Sequence, residues 1–118
     1  MQAKDKVVFF GTGEETRDWL HVNDVAAFVL QLATLNHPKL HVYNGSFGER
    51  ITVREILYRL RDLLGKNDVA IEFNQHHKEG DPKYYLGCIE KAHKTGWRQT
   101  TSLEVGLSKY VDWFKTIV

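Results

Sequence analysis

Arg17 is the residue whose type and setting most invite chemistry. In the run Thr16-Arg17-Asp18-Trp19-Leu20-His21-Val22-Asn23-Asp24-Val25-Ala26 it ends an extended segment immediately ahead of an amphipathic helical pattern. A guanidinium carries a planar fork of donors that matches phosphate oxygens, so an arginine held at a rigid strand-to-helix junction makes an anion-binding corner. Its competing use is a surface salt bridge to Asp18, Asp24 or a glutamate, which contributes little in water. A second candidate is Val8-Phe9-Phe10 followed by Gly11-Thr12-Gly13-Glu14-Glu15-Thr16, which imitates a strand entering a dinucleotide fingerprint. Thr16 stands where the third glycine belongs, two glutamates would repel a pyrophosphate, and no apolar helix starts directly after the turn. A turn joining two short strands is therefore expected. His76 and His77, with Glu79, Asp81 and Cys88 beyond them, raise the question of a metal. Adjacent histidines in a loop usually point apart and no other pair has a ligand spacing, so solvated loop histidines and no metal site are expected. His21 is expected to pack at a helix start rather than act as a base.

The elements that must position these residues follow from periodicity. Val7 to Phe10 and Trp19 to Val22 read as short strands. Asn23 can cap a helix whose apolar positions Val25, Phe28, Val29, Leu32 and Leu35 recur at helical spacing until Asn36-His37-Pro38 stops it. Leu40 to Tyr43 reads as a strand. Thr52-Val53-Arg54-Glu55 is a capping box, opening a helix with an Ile56, Leu57, Leu60, Leu63 and Leu64 stripe that Gly65 ends. Val69 to Phe73 is a further strand and Gln75 to Pro82 a loop. A short helix around Ile89 to Lys94 ends at Gly96, with Trp97 folding back. Thr101 or Ser102 caps a last helix with Leu103, Leu107, Tyr110, Val111 and Phe114 on one face.

The chain has 118 residues, 42% of them hydrophobic, which agrees with one small domain over residues 1–118. Its formal net charge of +1 supplies no field to gather nucleic acid or an anionic membrane, so any anion site must be built by local geometry. Arg54, Arg59, Arg61 and Lys66 are interleaved with Glu55 and Asp62, as on an ordinary solvated helix face. The polar opening Met1 to Lys6 and the absence of a long apolar run point away from a signal peptide or membrane span and toward the cytoplasm. Cys88 is the only cysteine, which excludes an internal disulfide and a cysteine-based zinc cage.

Four stretches in order carry a resemblance: Val8 to Gly13 with Thr16 to Ala26; Val42-Tyr43-Asn44-Gly45-Ser46; Lys78-Glu79-Gly80-Asp81-Pro82; and Gly96-Trp97 with Ser102 to Leu107. Together they resemble the C-terminal, substrate-binding portion of extended short-chain dehydrogenase/reductase enzymes, the NAD-dependent nucleotide-sugar epimerases and dehydratases. The resemblance implies a small mixed α/β domain of short strands and about four helices, without the Rossmann cofactor half.

The resemblance also implies a nucleotide-diphosphate-sugar site. Arg17 matches the family's diphosphate-binding arginine, Val8 to Phe10 match backbone lying beside the base, and Trp19 occupies a place near the nucleotide that is often aromatic. A tryptophan in a strand is equally a core residue. Lys78 stands where the family commonly has an arginine, and it keeps the charge but loses the bidentate fork. Asp81 matches a position near the ribose or the phosphate loop, or serves as a turn residue before Pro82. The family's catalytic tyrosine is followed by a lysine four residues later, whereas Tyr43, Tyr58, Tyr84, Tyr85 and Tyr110 are followed by Phe47, Asp62, Cys88, Ile89 and Phe114. The expectations are weak nucleotide-sugar binding, no bound NAD and no catalysis by this chain alone. A homodimer is expected as well, with a cofactor-domain chain as a second possible partner. The alternative is a remnant acting as a protein-association module.

Overall fold

Two apolar runs separated by sixty residues can pair side by side only through a long crossover, and that is how this chain begins. The computed structural model describes residues 5–36 and 39–118. Strand β1 (Lys6–Phe9) lies parallel to β4 (Ala70–Phe73), with Val7 opposite Ile71 and Phe9 opposite Phe73. The crossover contains β2 (Thr16–Arg17), α1 (Val22–Ala33), β3 (Ile51–Thr52) and α2 (Val53–Leu63). Strands β2 and β3 form an antiparallel pair of two residues each, Thr16 opposite Thr52 and Arg17 opposite Ile51. Helices α3 (Glu90–His93) and α4 (Leu103–Ile117) complete a mixed α/β arrangement with four helices among the described residues.

The glycine turn joins β1 to β2 as a turn should. Gly11 and Gly13 have φ of 106° and 85°, the left-handed region that favours glycine. A Cβ on Gly13 would also stand 2.7 Å from the Phe73 ring.

Helix boundaries differ from expectation at α1. Its cap is His21, whose Nδ1 accepts the Asn23 N–H at 3.1 Å, and Asn23 lies inside the first turn. The reason is tertiary: the Asp24 carboxylate accepts bonds from Thr100 and Thr101, which holds Asp24 within the first turn and moves the helix start back to Val22. The helix ends at Ala33, ahead of the expected stop, of which His37 and Pro38 lie outside the described residues. Helix α2 starts at the expected cap, with Thr52 Oγ1 accepting the Glu55 N–H at 3.1 Å, while the Glu55 carboxylate pairs with Arg59 one turn on. Ser102 is the cap of α4.

Two expected strands are not strands. Pairing falls on Thr16–Arg17 rather than on Trp19 to Val22, because Leu20 packs toward the core and Val22 already belongs to α1. Leu40 to Tyr43 joins no ladder among the described residues, and the Val42 carbonyl accepts from Lys91 Nζ at 2.6 Å. A strand is only as real as its neighbour.

The core sits where α1, α3 and the chain after α3 meet. Phe28, Ala92 and Trp97 are buried together, flanked by Leu20, Leu32 and Tyr43. The Trp97 ring stacks on Phe28 at 4.5 Å, and its Nε1–H donates to the Asp24 carbonyl at 3.0 Å. This explains why Trp97 folds back after Gly96. Among the described residues, Ile56 of α2 and Val111 of α4 are the other buried large apolar residues. Among the described residues no helix is long and apolar enough to cross a membrane.

Candidate functional site

Strand β2 is held from both sides, and that fixes Arg17. On one side it pairs with β3. On the other, the Thr16 N–H donates to the Lys83 carbonyl at 3.0 Å and the Tyr85 N–H donates to the Thr16 carbonyl at 3.1 Å. The loop carrying Lys78, Asp81 and Lys83 is thereby tied to the strand carrying Arg17.

The Arg17 head is placed by several contacts. Its Nη1 donates to the Thr16 carbonyl at 2.8 Å, its Nη2 lies 3.6 Å from Asp81 Oδ1, and its guanidinium carbon sits 4.9 Å from the centre of the Tyr85 ring. Asp81, not Asp18 or Asp24, is its acidic neighbour. Aromatic stacking and a backbone tether restrict the rotamers of a long side chain, so less order must be imposed when an anion arrives.

Arg17, Phe10, Lys78 and Asp81 line one cleft of about 110 Å³, whose walls also include His76, His77 and Lys83. Four of the six residues singled out from sequence thus meet. Val8, in β1, and Trp19 do not line this cleft. Trp19 lies part-exposed with its Nε1–H 3.3 Å from the Ile51 carbonyl.

The glycine turn at the cleft rim is already occupied by an anion of its own chain. Glu15 Oε1 accepts from the Thr12 N–H at 2.8 Å and Oε2 accepts from the Gly13 N–H at 2.9 Å. Burial by itself pushes the Glu15 carboxyl up, but these backbone donors and the Thr12 hydroxyl outweigh it and hold the pKa below its ordinary value. The Gly11 N–H donates to Asn74 Oδ1 at 3.1 Å. The donors a pyrophosphate would need are thus committed internally, and the turn leads into β2 instead of a helix.

Two carboxylates that composition alone marks as ordinary turn out to be fasteners. Asp18 accepts from the N–H groups of Phe47, Gly48 and Gly87, joining two loops behind β2. Asp24 is only 3% exposed and accepts from the Thr100 and Thr101 N–H groups and the Thr100 hydroxyl. Sequence reasoning missed both, because their partners are remote in the chain. Asn74 was missed too: its side-chain oxygen accepts from Gly11 and His76 N–H, joining the cleft's two rims. Among the described residues no three of His, Cys, Asp and Glu are grouped to hold a metal ion, and Cys88 is exposed.

The family model described as GDP-mannose 4,6 dehydratase matches residues 1–110. The chain is 30% identical to GDP-L-fucose synthase of Escherichia coli (strain K12) over 121 aligned positions, taking in 96% of this chain and 37% of that protein. It is 28% identical to dTDP-glucose 4,6-dehydratase of Streptomyces antibioticus, over 93% of this chain and 32% of that one. Its structure is similar to that of UDP-glucose 4-epimerase from Thermotoga maritima with UDP-glucose, at a TM-score of 0.84 and 28% identity over 95% of this chain and 35% of the other. The chain spans about a third of the length of the relatives it matches.

Proposed function

The chain belongs to the GDP-mannose 4,6-dehydratase family, and from that premise we propose that it binds the diphosphate of a nucleotide-diphosphate sugar and is not catalytic by itself. The observation that carries this reading is the fixed Arg17 head in a cleft shared with Lys78 and Lys83. A guanidinium and two ammonium groups suit a diphosphate, and Asp81 beside them can accept from a ribose hydroxyl. Ligand pockets run to roughly 300–1,000 Å³, so a cleft of about 110 Å³ suits a diphosphate better than a whole nucleotide sugar. Binding would accordingly be weak, with Val8 and Trp19 reached only by the ligand's outer parts. The remaining contacts would come from the two thirds of the relatives' length that this chain does not span, a cofactor domain in particular.

NAD is the family's cofactor, and the residues present do not fit it. The only fingerprint-like turn spends its N–H groups on Glu15 and Asn74. No tyrosine is followed four residues later by a lysine, so this chain lacks the pair that would move a proton. A lone exposed Cys88 suits the reducing cytoplasm, where we place the protein.

Amide shift titration with UDP-glucose and GDP-mannose tests the reading. Resonances around Arg17 and Lys78 should move, and Arg17→Ala should weaken binding by about 10- to 100-fold, the equivalent of a charge-assisted contact of ~1.5–3 kcal/mol. If neither sugar nucleotide moves those resonances at saturating concentration, the diphosphate reading is wrong. The exposed apolar surface of α1 then favours the second reading, a protein-association module covering residues 1–118 as one unit.

A further inference from the structure

The histidine pair, expected as solvated loop residues, follows unusual backbone at the cleft. Gln75 has φ of 63°, the left-handed conformation that a side chain other than glycine adopts only at a cost. Its N–H donates to the Gly11 carbonyl at 2.9 Å, and Asn74 Oδ1 accepts from both Gly11 and His76 N–H at 3.1 and 2.9 Å. These bonds turn the chain after β4 back onto the glycine turn and place His76 and His77 together on the cleft wall. The His76 ring stands edge-on to Phe10, 6.2 Å between centres, which further restricts it. Both histidines are exposed loop residues, as expected, and both line the cleft.

We infer that His76 and His77, when protonated, form a second cationic wall for the diphosphate of a nucleotide-diphosphate sugar in the cleft that Arg17 lines, and so make binding at this cleft tighten as pH falls. The inference rests on the diphosphate reading of the cleft. Lys78 supplies a point charge without a guanidinium's fork, so a diphosphate held by Arg17 has unpaired oxygens for other donors to meet. Neutral imidazole offers one donor nitrogen and imidazolium offers two, with a positive charge added. Histidine makes that change between pH 5 and 8.

The other charged groups facing the pair do not cancel the effect. Glu15, from the glycine turn, has both oxygens committed to Thr12 and Gly13. Asp81 is turned to Arg17 at 3.6 Å. Arg17 from β2 and Lys78 and Lys83 from the loop also line the wall, and the start of α2 contributes only Val53. Like charges gathered on the wall favour imidazolium only when an anion is present. Ligand and protons must therefore bind with mutual reinforcement.

Isothermal titration of the intact chain with UDP-glucose and with GDP-mannose at pH about 5.5, 6.5 and 8 tests this. Each phosphate of these probes carries one ester and one anhydride link, leaving a single strongly acidic oxygen, so the diphosphate's charge is constant across the range and a pH dependence of binding belongs to the protein. The expected result is a Kd that falls about three- to tenfold from the highest pH to the lowest, as for partly solvated ion pairs, and a flat profile in the double variant His76→Gln, His77→Gln. A second measurement needs no variant. Saturating probe should raise the titration midpoints of the two imidazole resonances by about half to one pH unit in total, since linkage requires the same coupling in both directions. Binding that is tight but independent of pH, with unmoved imidazole midpoints, overturns the histidine wall and leaves the diphosphate reading intact. Absence of binding at every pH overturns both.

Discussion

Arg17, Asp18 and Asp24 lie within eight positions of one another, and the fold gives each a different neighbour. Arg17 faces the cleft, Asp18 holds the loops at Phe47 and Gly87, and Asp24 holds the start of α4. The arginine was legible because its chemistry and its junction are both local. Asp24 was not, because its partner Thr100 is 76 positions away and nothing in the sequence announces that pairing. Its removal should be costly: Asp24→Ala leaves the Thr100 and Thr101 N–H groups without their acceptor, and we expect a loss of about 2–4 kcal/mol in urea unfolding. The pH dependence has a definite sign. Burial raises the Asp24 pKa, but the Thr101 and Thr100 donors, with help from nearby His21, outweigh it and hold the carboxyl below the ordinary 3.8. A depressed folded-state pKa means that the unfolded chain binds more protons. The contribution is thus complete above 3.8 and disappears as pH falls through the lower folded-state value. Wild type and Asp24→Ala should therefore converge in stability in that acid range, and a difference that persists unchanged there would show that the carboxylate charge is not its source.

At the scale of elements, helices were easier to read than strands. The α2 cap Thr52 and the α4 cap Ser102, one of the two candidates with Thr101, are local signals that need no tertiary context, although the Glu55 half of the α2 capping box turns to Arg59 instead. Strands need a partner, so the period-two pattern at Leu40 to Tyr43 and the apolar run at Trp19 to Val22 named candidates without naming neighbours. The connection from β4 into the cleft is the part least visible in sequence. No glycine or asparagine marks the left-handed position, which Gln75 fills. That choice carries a cost which can be measured. Gln75→Gly should raise stability by about 0.5–1 kcal/mol, because relief of the left-handed penalty of ~1–2 kcal/mol exceeds the added freedom of the unfolded chain. Urea denaturation of the two proteins provides the comparison. A less stable glycine variant would mean that the Gln75 side chain contributes contacts outweighing its backbone strain.

For the whole molecule, shape and core disagree with self-sufficiency. A compact chain of this length has a radius of gyration of about 13–14 Å, whereas this one has 17.7 Å and extends 66 × 36 × 20 Å. No large side chain is fully buried among the described residues. Much apolar surface is left over: Val22 and Leu30 of α1 are 70% and 69% exposed, and Leu40 and Val42 are 95% and 74% exposed. Among the described residues, 40–43 have the composition of a strand and lie outside any ladder, while β1 and β4 form a sheet of two strands. Open backbone edges and apolar patches of this kind are what association removes. A second copy offers the same surface, and a two-fold dimer buries the patch twice for one set of complementary residues. We therefore predict a homodimer with a total buried area on the order of 1,200–2,000 Å². The substitution Leu30→Glu should weaken it, since a carboxylate placed in an apolar contact must be desolvated without a partner. Light scattering after size-exclusion chromatography over a dilution series makes the measurement: a dimer mass that dissociates earlier for Leu30→Glu supports the interface on α1, and a monomer mass persisting at high micromolar concentration rules it out.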